Sequence, residues 1–502
     1  MKTDSENPST LVSGSRLAKN TLWNVLGQGL PLLVGLGAIP FLINDLGTDR
    51  FGVLTIAWMV IGYFSIFDFG LGRALTKLTA EKLGVGDTKE IPELIWTALL
   101  LMGVLGIIGG LVVAGISYWL VYAVLNVPTE LQKETLDVFY LLAWSIPFVI
   151  GTVGLRGVLE AYQRFGLVNA VRIPLGVWTF IGPVVALQYS ESLYPVVATL
   201  VAGRLVALVV HFGLCFHVVP ALQKGMVIKR RLISPLISFG GWMTVSNIVG
   251  PVMVYMDRFL IGAIISMAAV AYYTTPYEIV TKLWMIPIAL VGVLFPAFSS
   301  TFVNDKATTV NLFDRGTKYI FIVMFPIMLV IMTFAYDGLE LWLGTEFAEN
   351  GFTILQWLTV GVFVNSLARV PFALIQGAGR PDIIAIIHLL ELPLYLVLLW
   401  WLLKVYGIEG AAAAWTIRIV IDAVIFNLVT ASLLAGSMSY IRTNAANAVV
   451  ALSVFFVSVV ISGLLVKLVF LIGVLFVFSF WIWNFLLCDK ERHAVKNVIK
   501  NL

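Results

Sequence analysis

Arg204 stands near the middle of the apolar run 193–218, with no acidic residue one helical turn to either side. Ionisable groups are rare at such depth in an apolar run and ordinarily face a protein interior or a water-filled cavity. A guanidinium there suits anion binding, because its planar fork makes paired, charge-assisted hydrogen bonds to phosphate or carboxylate. The alternative is a brace between neighbouring helices. Arg418, in run 409–435, has Asp422 four residues on, which places the two on one helical face and lets them neutralise each other. Lys282 and Glu278 repeat that spacing in run 268–298, with Lys282 read as mid-span. Arg369 and Arg156 lie nearer the ends of their runs, where they can meet an anionic head group or simply snorkel to the interface.

A second set is polar rather than cationic. Asn20, Asn24 and Gln28 recur every four residues and share one helical face, suited to bonding hydroxyl groups or to bonding other helices. His388 and Glu391, three residues apart before Pro393, could bind or pass a proton, with Glu278 and Asp422 as further ion-coupling candidates; a satisfied structural pair is the competing reading. Asp68 and Arg73 flank Gly70-Leu71-Gly72, where close helix packing competes with an ion pair at a gate. His211 reads as a packed polar residue. Cys215 and Cys488 fall in apolar runs without metal-ligand spacing, so neither a disulfide framework nor a metal is expected. No G-x-x-x-x-G-K-[ST] occurs, and no cofactor is expected.

The elements that must hold these residues are membrane helices. Hydrophobic residues make up 60% of the 502 and charged residues 12%, against about 45–50% and about 25% in soluble domains. Fourteen runs approach the roughly 20 apolar residues that a spanning helix needs: 20–44, 51–72, 94–122, 135–156, 166–189, 193–218, 236–260, 268–298, 317–336, 352–374, 382–405, 409–435, 444–466 and 468–488. The Trp residues are read mainly as interfacial anchors or packing, with Trp23 and Trp242 able to stack on sugar rings. Lys and Arg crowd the connections on the amino-terminal side, such as Lys224, Lys229, Arg230 and Arg231, while the opposite connection near 337–350 carries Asp337, Glu340, Glu346 and Glu349 without a cation. The positive-inside rule places both termini in the cytoplasm. The net charge of +4 points to no nucleic-acid partner.

The sequence also repeats. An offset of 219 residues carries Trp23 to Trp242 and Gly52 to Ala271; later landmarks pair Arg164 with Arg380 and Arg204 with Arg418. The expected organisation is a cytoplasmic tail (1–19), a six-helix bundle (20–218), a basic cytoplasmic linker (219–235), a second six-helix bundle (236–436), two additional helices (437–488) and a basic tail (489–502). Two bundles inserted the same way up form the parallel-repeat plan of transporters that rock around a central site.

Four stretches carry a family resemblance: I-N-D-L-G-T-D-R-F-G-V-L (43–54), F-D-F-G-L-G-R-A-L-T-K (67–77), E-A-Y-Q-R-F-G-L-V-N-A-V-R-I-P (160–174) and Q-G-A-G-R-P-D (376–382). With the 6+6+2 layout, the chain resembles the polysaccharide-transporter branch, which includes O-antigen flippases, of the multidrug/oligosaccharidyl-lipid/polysaccharide flippase superfamily. The resemblance implies an all-α polytopic fold of about 14 helices in the inner membrane and no enzyme. It implies movement of undecaprenyl-pyrophosphate-linked oligosaccharide from the cytoplasmic to the periplasmic leaflet, among membrane lipids and beside a polysaccharide polymerase and a chain-length regulator. Arg204, Arg418, Lys282, Arg369, Arg156, Asn20, Asn24 and Gln28 are then the substrate-binding candidates. An ion-coupled multidrug exporter and a membrane polymerase or glycosyltransferase are the competing functions. The first would favour acidic groups facing organic cations, whereas the deep charge without an acidic neighbour is Arg204. The second needs a sizeable loop, and the longest outside connection has about 15 residues.

Overall fold

The computed structural model describes residues 14–63, 67–302, 305–486 and 492, without the side chains of 14–29, 63, 238–251, 296 and 485. Asn20, Asn24, Gln28, Trp23, Trp242 and Cys488 therefore lie outside the described side chains. The described chain is helical and contains no strand. Its helices are α1 (Gly14–Tyr63), α2 (Leu71–Gly84), α3 (Ile91–Trp119), α4 (Gln132–Ala161), α5 (Phe165–Leu187), α6 (Leu193–Val218), α7 (Arg230–Ile264), α8 (Met267–Lys282), α9 (Met285–Thr301), α10 (Lys306–Thr333), α11 (Ala335–Leu343), α12 (Thr345–Gly377), α13 (Pro381–Leu433), α14 (Met438–Val460) and α15 (Leu464–Trp481). Ten of the described helices are long and apolar enough to cross a membrane, or eleven if α8 and α9 form one bent span.

Two helices are too long to be single spans. At about 1.5 Å per residue, the 53 residues of α13 would measure about 80 Å, against a hydrocarbon core of about 30 Å. Gly407 breaks it with φ 63° and ψ −146°, a conformation open to glycine and strained for other residues. Gly47 breaks α1 in the same manner, with φ 75°. Each break falls between two of the predicted apolar runs.

Three expectations change. The run 51–72 is not one helix, because irregular backbone at 67–70 separates α1 from α2. The run 268–298 breaks at Leu283 and Trp284, which places Lys282 at the end of α8 and, if α8 and α9 form one bent span, at its bend. The acidic connection near 337–350 contains α11, whose buried Ala335 and Leu339 anchor it.

Contacts divide the chain into two compact units, Met1–Ala271 and Tyr272–Leu502, and the division falls inside α8. In the first unit, α3 packs tightly on α4: a Cβ on Gly106 would stand 2.8 Å from the Pro147 backbone, the close approach that small residues permit in membranes. The unit also holds α7, which the sequence repeat assigns to the second half. At its basic end, Glu90 binds Arg231 and Lys82, Glu93 lies 3.5 Å from Lys229, and the Lys229 N–H donates to Thr97 Oγ1 at 3.0 Å. Near its other end, the Asn126 N–H donates to Gly262 O at 2.8 Å, and just past that end Asp49 Oδ1 accepts the Ala268 N–H at 3.1 Å.

In the second unit, α10 and α12 present Phe321, Phe325 and Phe363 to Phe455 of α14 and Phe478 of α15. Such ring pairs contribute about 0.5–1.5 kcal/mol each beyond area burial. They attach α14 and α15, the helices expected to lie outside the repeat, to α10 and α12.

Candidate functional site

The first unit positions Arg204, half-buried, and the second positions Arg418, buried. In the first, α6 carries Arg204 into a small cavity of about 40 Å³ with Trp58, Ile61, Leu175, Trp178, Thr179 and Leu200 on its walls. Among the described residues Arg204 meets no carboxylate and makes no hydrogen bond. Its freedom from an acidic neighbour, expected from the sequence, holds in three dimensions. The cavity walls are stiff: the Trp178 ring is wedged so that a Cβ on Gly203 would sit 2.7 Å from it, and its N–H donates to Thr199 O at 2.8 Å.

The second unit assembles a different centre. Both halves of α13 contribute, because the break at Gly407 lets segments distant in sequence meet. Arg418 Nη1 lies 3.4 Å from Asp422 Oδ2 and 4.0 Å from Glu391 Oε2, and its guanidinium sits 5.2 Å from the Tyr395 ring centre. Arg418, Asp422 and Glu391 are 7%, 4% and 8% exposed. His388 joins them: one ligand atom from each of His388, Glu391 and Asp422 lies within 4.8 Å of the others. A cavity of about 210 Å³ opens beside Glu391, Tyr395 and Arg418, rimmed by Leu390, Leu394 and Ile421.

Charge counting limits what this centre can hold. Two carboxylates and one guanidinium leave one negative charge in excess, and both Glu391 oxygens and Asp422 Oδ1 are buried without a hydrogen bond. Buried charge at that depth must be compensated. A proton or a monovalent cation balances the cluster, whereas a divalent metal would face the guanidinium within the same few ångströms.

The other candidates separate. Arg369 on α12 lies 5.3 Å from the Trp284 ring centre, and its Nε has no hydrogen-bond partner. Trp284 in turn lies 6.2 Å from Trp415. Lys282 pairs with Glu278 at 3.0 Å, and both side chains are exposed. Arg156 pairs with Glu160 at 3.4 Å on the surface of α4. Asp68 accepts the N–H groups of Gly70 at 2.7 Å and Gly72 at 3.2 Å, and so completes the first turn of α2; no direct pair with Arg73 forms. His211 Nδ1 bonds Ala207 O at 2.8 Å, as a packed residue would.

Sequence reasoning missed the aromatic partners of these cations. Tyr395 is four residues beyond Glu391 on the same face, a usable signal. Glu160 follows Arg156 by the same spacing. Trp284 had no such signal, because it reaches Arg369 only through packing of separate helices.

The comparisons with known proteins agree with this architecture. A family described as "Polysaccharide biosynthesis protein" matches residues 17–302. A Shigella flexneri protein named "Putative O-antigen transporter" is 32% identical over 422 residues, covering 82% of this chain and 96% of the relative. A Haloferax volcanii protein named "Probable low-salt glycan biosynthesis flippase Agl15" is 23% identical over 411 residues, 80% of each. Among solved structures, the lipid II flippase MurJ in an inward closed conformation superposes with a TM-score of 0.67 at 12% identity, covering 92% of this chain and 99% of that one. An inward-facing multidrug resistance MATE family transporter of the MOP superfamily gives 0.64 at 14%, covering 85% and 95%. The fold is that of this superfamily, and the protein crosses the membrane many times.

Proposed function

The chain belongs to the polysaccharide biosynthesis protein family, and from that premise we propose that it is a flippase for a lipid-linked oligosaccharide. Its substrate is an undecaprenyl-pyrophosphate-linked repeat unit of O-antigen or another surface polysaccharide. The unit moves from the cytoplasmic to the periplasmic leaflet by alternating access of the two bundles. The observation that carries this reading is Arg204, a guanidinium at mid-span with a cavity beside it and, among the described residues, no carboxylate against it. A pyrophosphate supplies the missing anion. Arg369, with an aromatic face and no acidic partner, is a second cation for the head group. The family's relatives are transporters and flippases, and the proposal makes this chain a carrier and not an enzyme.

The cluster of His388, Glu391, Arg418 and Asp422 serves as the coupling site. One proton or monovalent cation neutralises its excess charge, and gaining or losing that charge changes the stability of the buried cluster by enough to drive a conformational step. An exporter of organic cations would need a buried acid free to face the drug; Glu391 and Asp422 both face Arg418. The proposal also includes fourteen spans, both termini in the cytoplasm, residence in the inner membrane, and cooperation with a polymerase and chain-length regulator. The break at Gly407 supports the span count, since it divides the 53 residues of α13 into two helices of membrane length.

Leaflet-resolved labelling of undecaprenyl-linked glycan in a deletion strain tests the function, with complementation by an Arg204 series. Flipping should fall in the order Arg204, Arg204→Lys, Arg204→Ala at equal protein level. Loss of a charged partner buried against an anion costs about 2–5 kcal/mol in binding. Wild-type flipping by Arg204→Ala would remove the anion-site assignment, and unchanged glycan distribution in the deletion strain would remove the function.

A further inference from the structure

We propose that the indole N–H of Trp58 is the second donor of the Arg204 site, and that the cavity they line takes oxygens of a phosphate or pyrophosphate group. This rests on the flippase reading and assigns to its anion a residue that sequence reasoning placed among packing aromatics.

The walls of the cavity have unequal hydrogen-bonding capacity. Trp178 spends its N–H on Thr199 O. Thr179 spends its hydroxyl hydrogen on Leu175 O at 2.9 Å. Trp58 Nε1 is buried and has no acceptor among the described residues, and Arg204 has none either. Ile61, Leu175 and Leu200 complete the wall with hydrocarbon. Two residues with unspent donors therefore line one small space that, among the described residues, no carboxylate lines. A buried donor left without an acceptor costs about 1–3 kcal/mol, so the native ligand of this space is an acceptor, and a negative one because Arg204 is a cation.

Size and stiffness narrow the choice. The cavity of about 40 Å³ is small, with room for about three water-sized groups where one needs about 10–15 Å³; the remainder of the head group must lie outside it. Trp58 is clamped edge-on between Phe51 at 5.9 Å and Phe180 at 5.3 Å, measured between ring centres. The ring is thus held before the ligand arrives, and little ordering is needed when it binds.

The test uses the purified full chain in detergent with farnesyl pyrophosphate as probe and farnesol as its uncharged counterpart. Wild type should prefer the pyrophosphate. Trp58→Phe, which keeps the aromatic body and removes the N–H, should weaken the pyrophosphate about tenfold and leave farnesol unchanged. Leu200→Phe keeps both donors but fills the space, and should also abolish the preference. If Trp58→Phe binds the pyrophosphate like wild type while Arg204→Ala does not, Trp58 is not a donor and the Arg204 assignment stands. If neither substitution changes binding, the Arg204 assignment falls and this proposal with it. A Trp58→Phe protein that loses thermal stability but keeps its affinity identifies a structural water in the cavity, which also overturns the proposal. Should Trp58→Phe fail to fold, retention of the preference by Leu200→Phe overturns it.

Discussion

Replacing Arg418 with Met leaves Glu391 and Asp422 facing one another in a dry site. The structure sets the size of the effect. Arg418 lies 3.4 and 4.0 Å from the two carboxylates, and a pair of unit charges at 4 Å interacts by about 4 kcal/mol at an effective dielectric of 20. Removing one partner of a buried pair typically costs about 3–5 kcal/mol. Arg418→Met should therefore lower the thermal midpoint of the detergent-solubilised protein by several degrees. Arg418→Met with Asp422→Asn should recover much of that loss, because the uncompensated charge goes with the carboxylate. The assay is thermal unfolding of both variants and of Asp422→Asn alone, read as a double-mutant cycle. An Arg418→Met protein as stable as wild type, or a double variant no better than the single, would refute the charge argument.

Three further predictions follow from other parts of the chain. Glu391→Gln should fold, bind lipid-linked glycan and lose the dependence of transport on the pH gradient; retained dependence would assign Glu391 to structure. The Lys82 ammonium holds the Glu90 carboxyl below its usual range, and Glu90 holds Lys82 above its own. A lowered carboxyl contributes fully above its unfolded pKa of about 4.3 and a raised lysine fully below about 10.4. The tether should thus persist through neutral pH and fail as pH falls through the carboxyl's folded value. Glu90→Gln should release it at pH 7, seen as faster limited proteolysis near exposed Met226; an unchanged cleavage rate would contradict this. In a background without native cysteines, Leu341→Cys should react with an impermeant thiol reagent on intact cells and Met226→Cys should not; reaction at Met226 would reverse the orientation.

What the sequence disclosed depended on whether the interaction was local. Arg418 and Asp422 are one turn apart, so their pairing was readable from spacing. Glu391 reaches the same centre from before the break at Gly407, and nothing in a linear pattern says that the halves of α13 fold against each other there. The isolation of Arg204 was readable as an absence of nearby acids. Its tryptophan walls were not, because Trp58 and Trp178 arrive from other helices. Apolar length locates the long helices, but hydropathy does not register the break at Leu283 and Trp284, which leaves Lys282 at the end of α8. The backbone near 67–70 likewise departs from helix although its residues continue an apolar run.

The tethering of α7 has a consequence for engineering. By sequence, the duplicated half begins after the basic linker; by contact, its opening helix is bonded near both ends to elements of the preceding half. Cutting the gene at the linker would give two fragments that each lack completed surfaces, one missing α7 against α2 and α3, the other carrying an unclothed helix. A cut near Ala271 would respect the packing but divide α8. The repeat expected from sequence and the cohesion of the fold thus draw different borders, and a split-protein complementation series across 219–275 would map the second border directly.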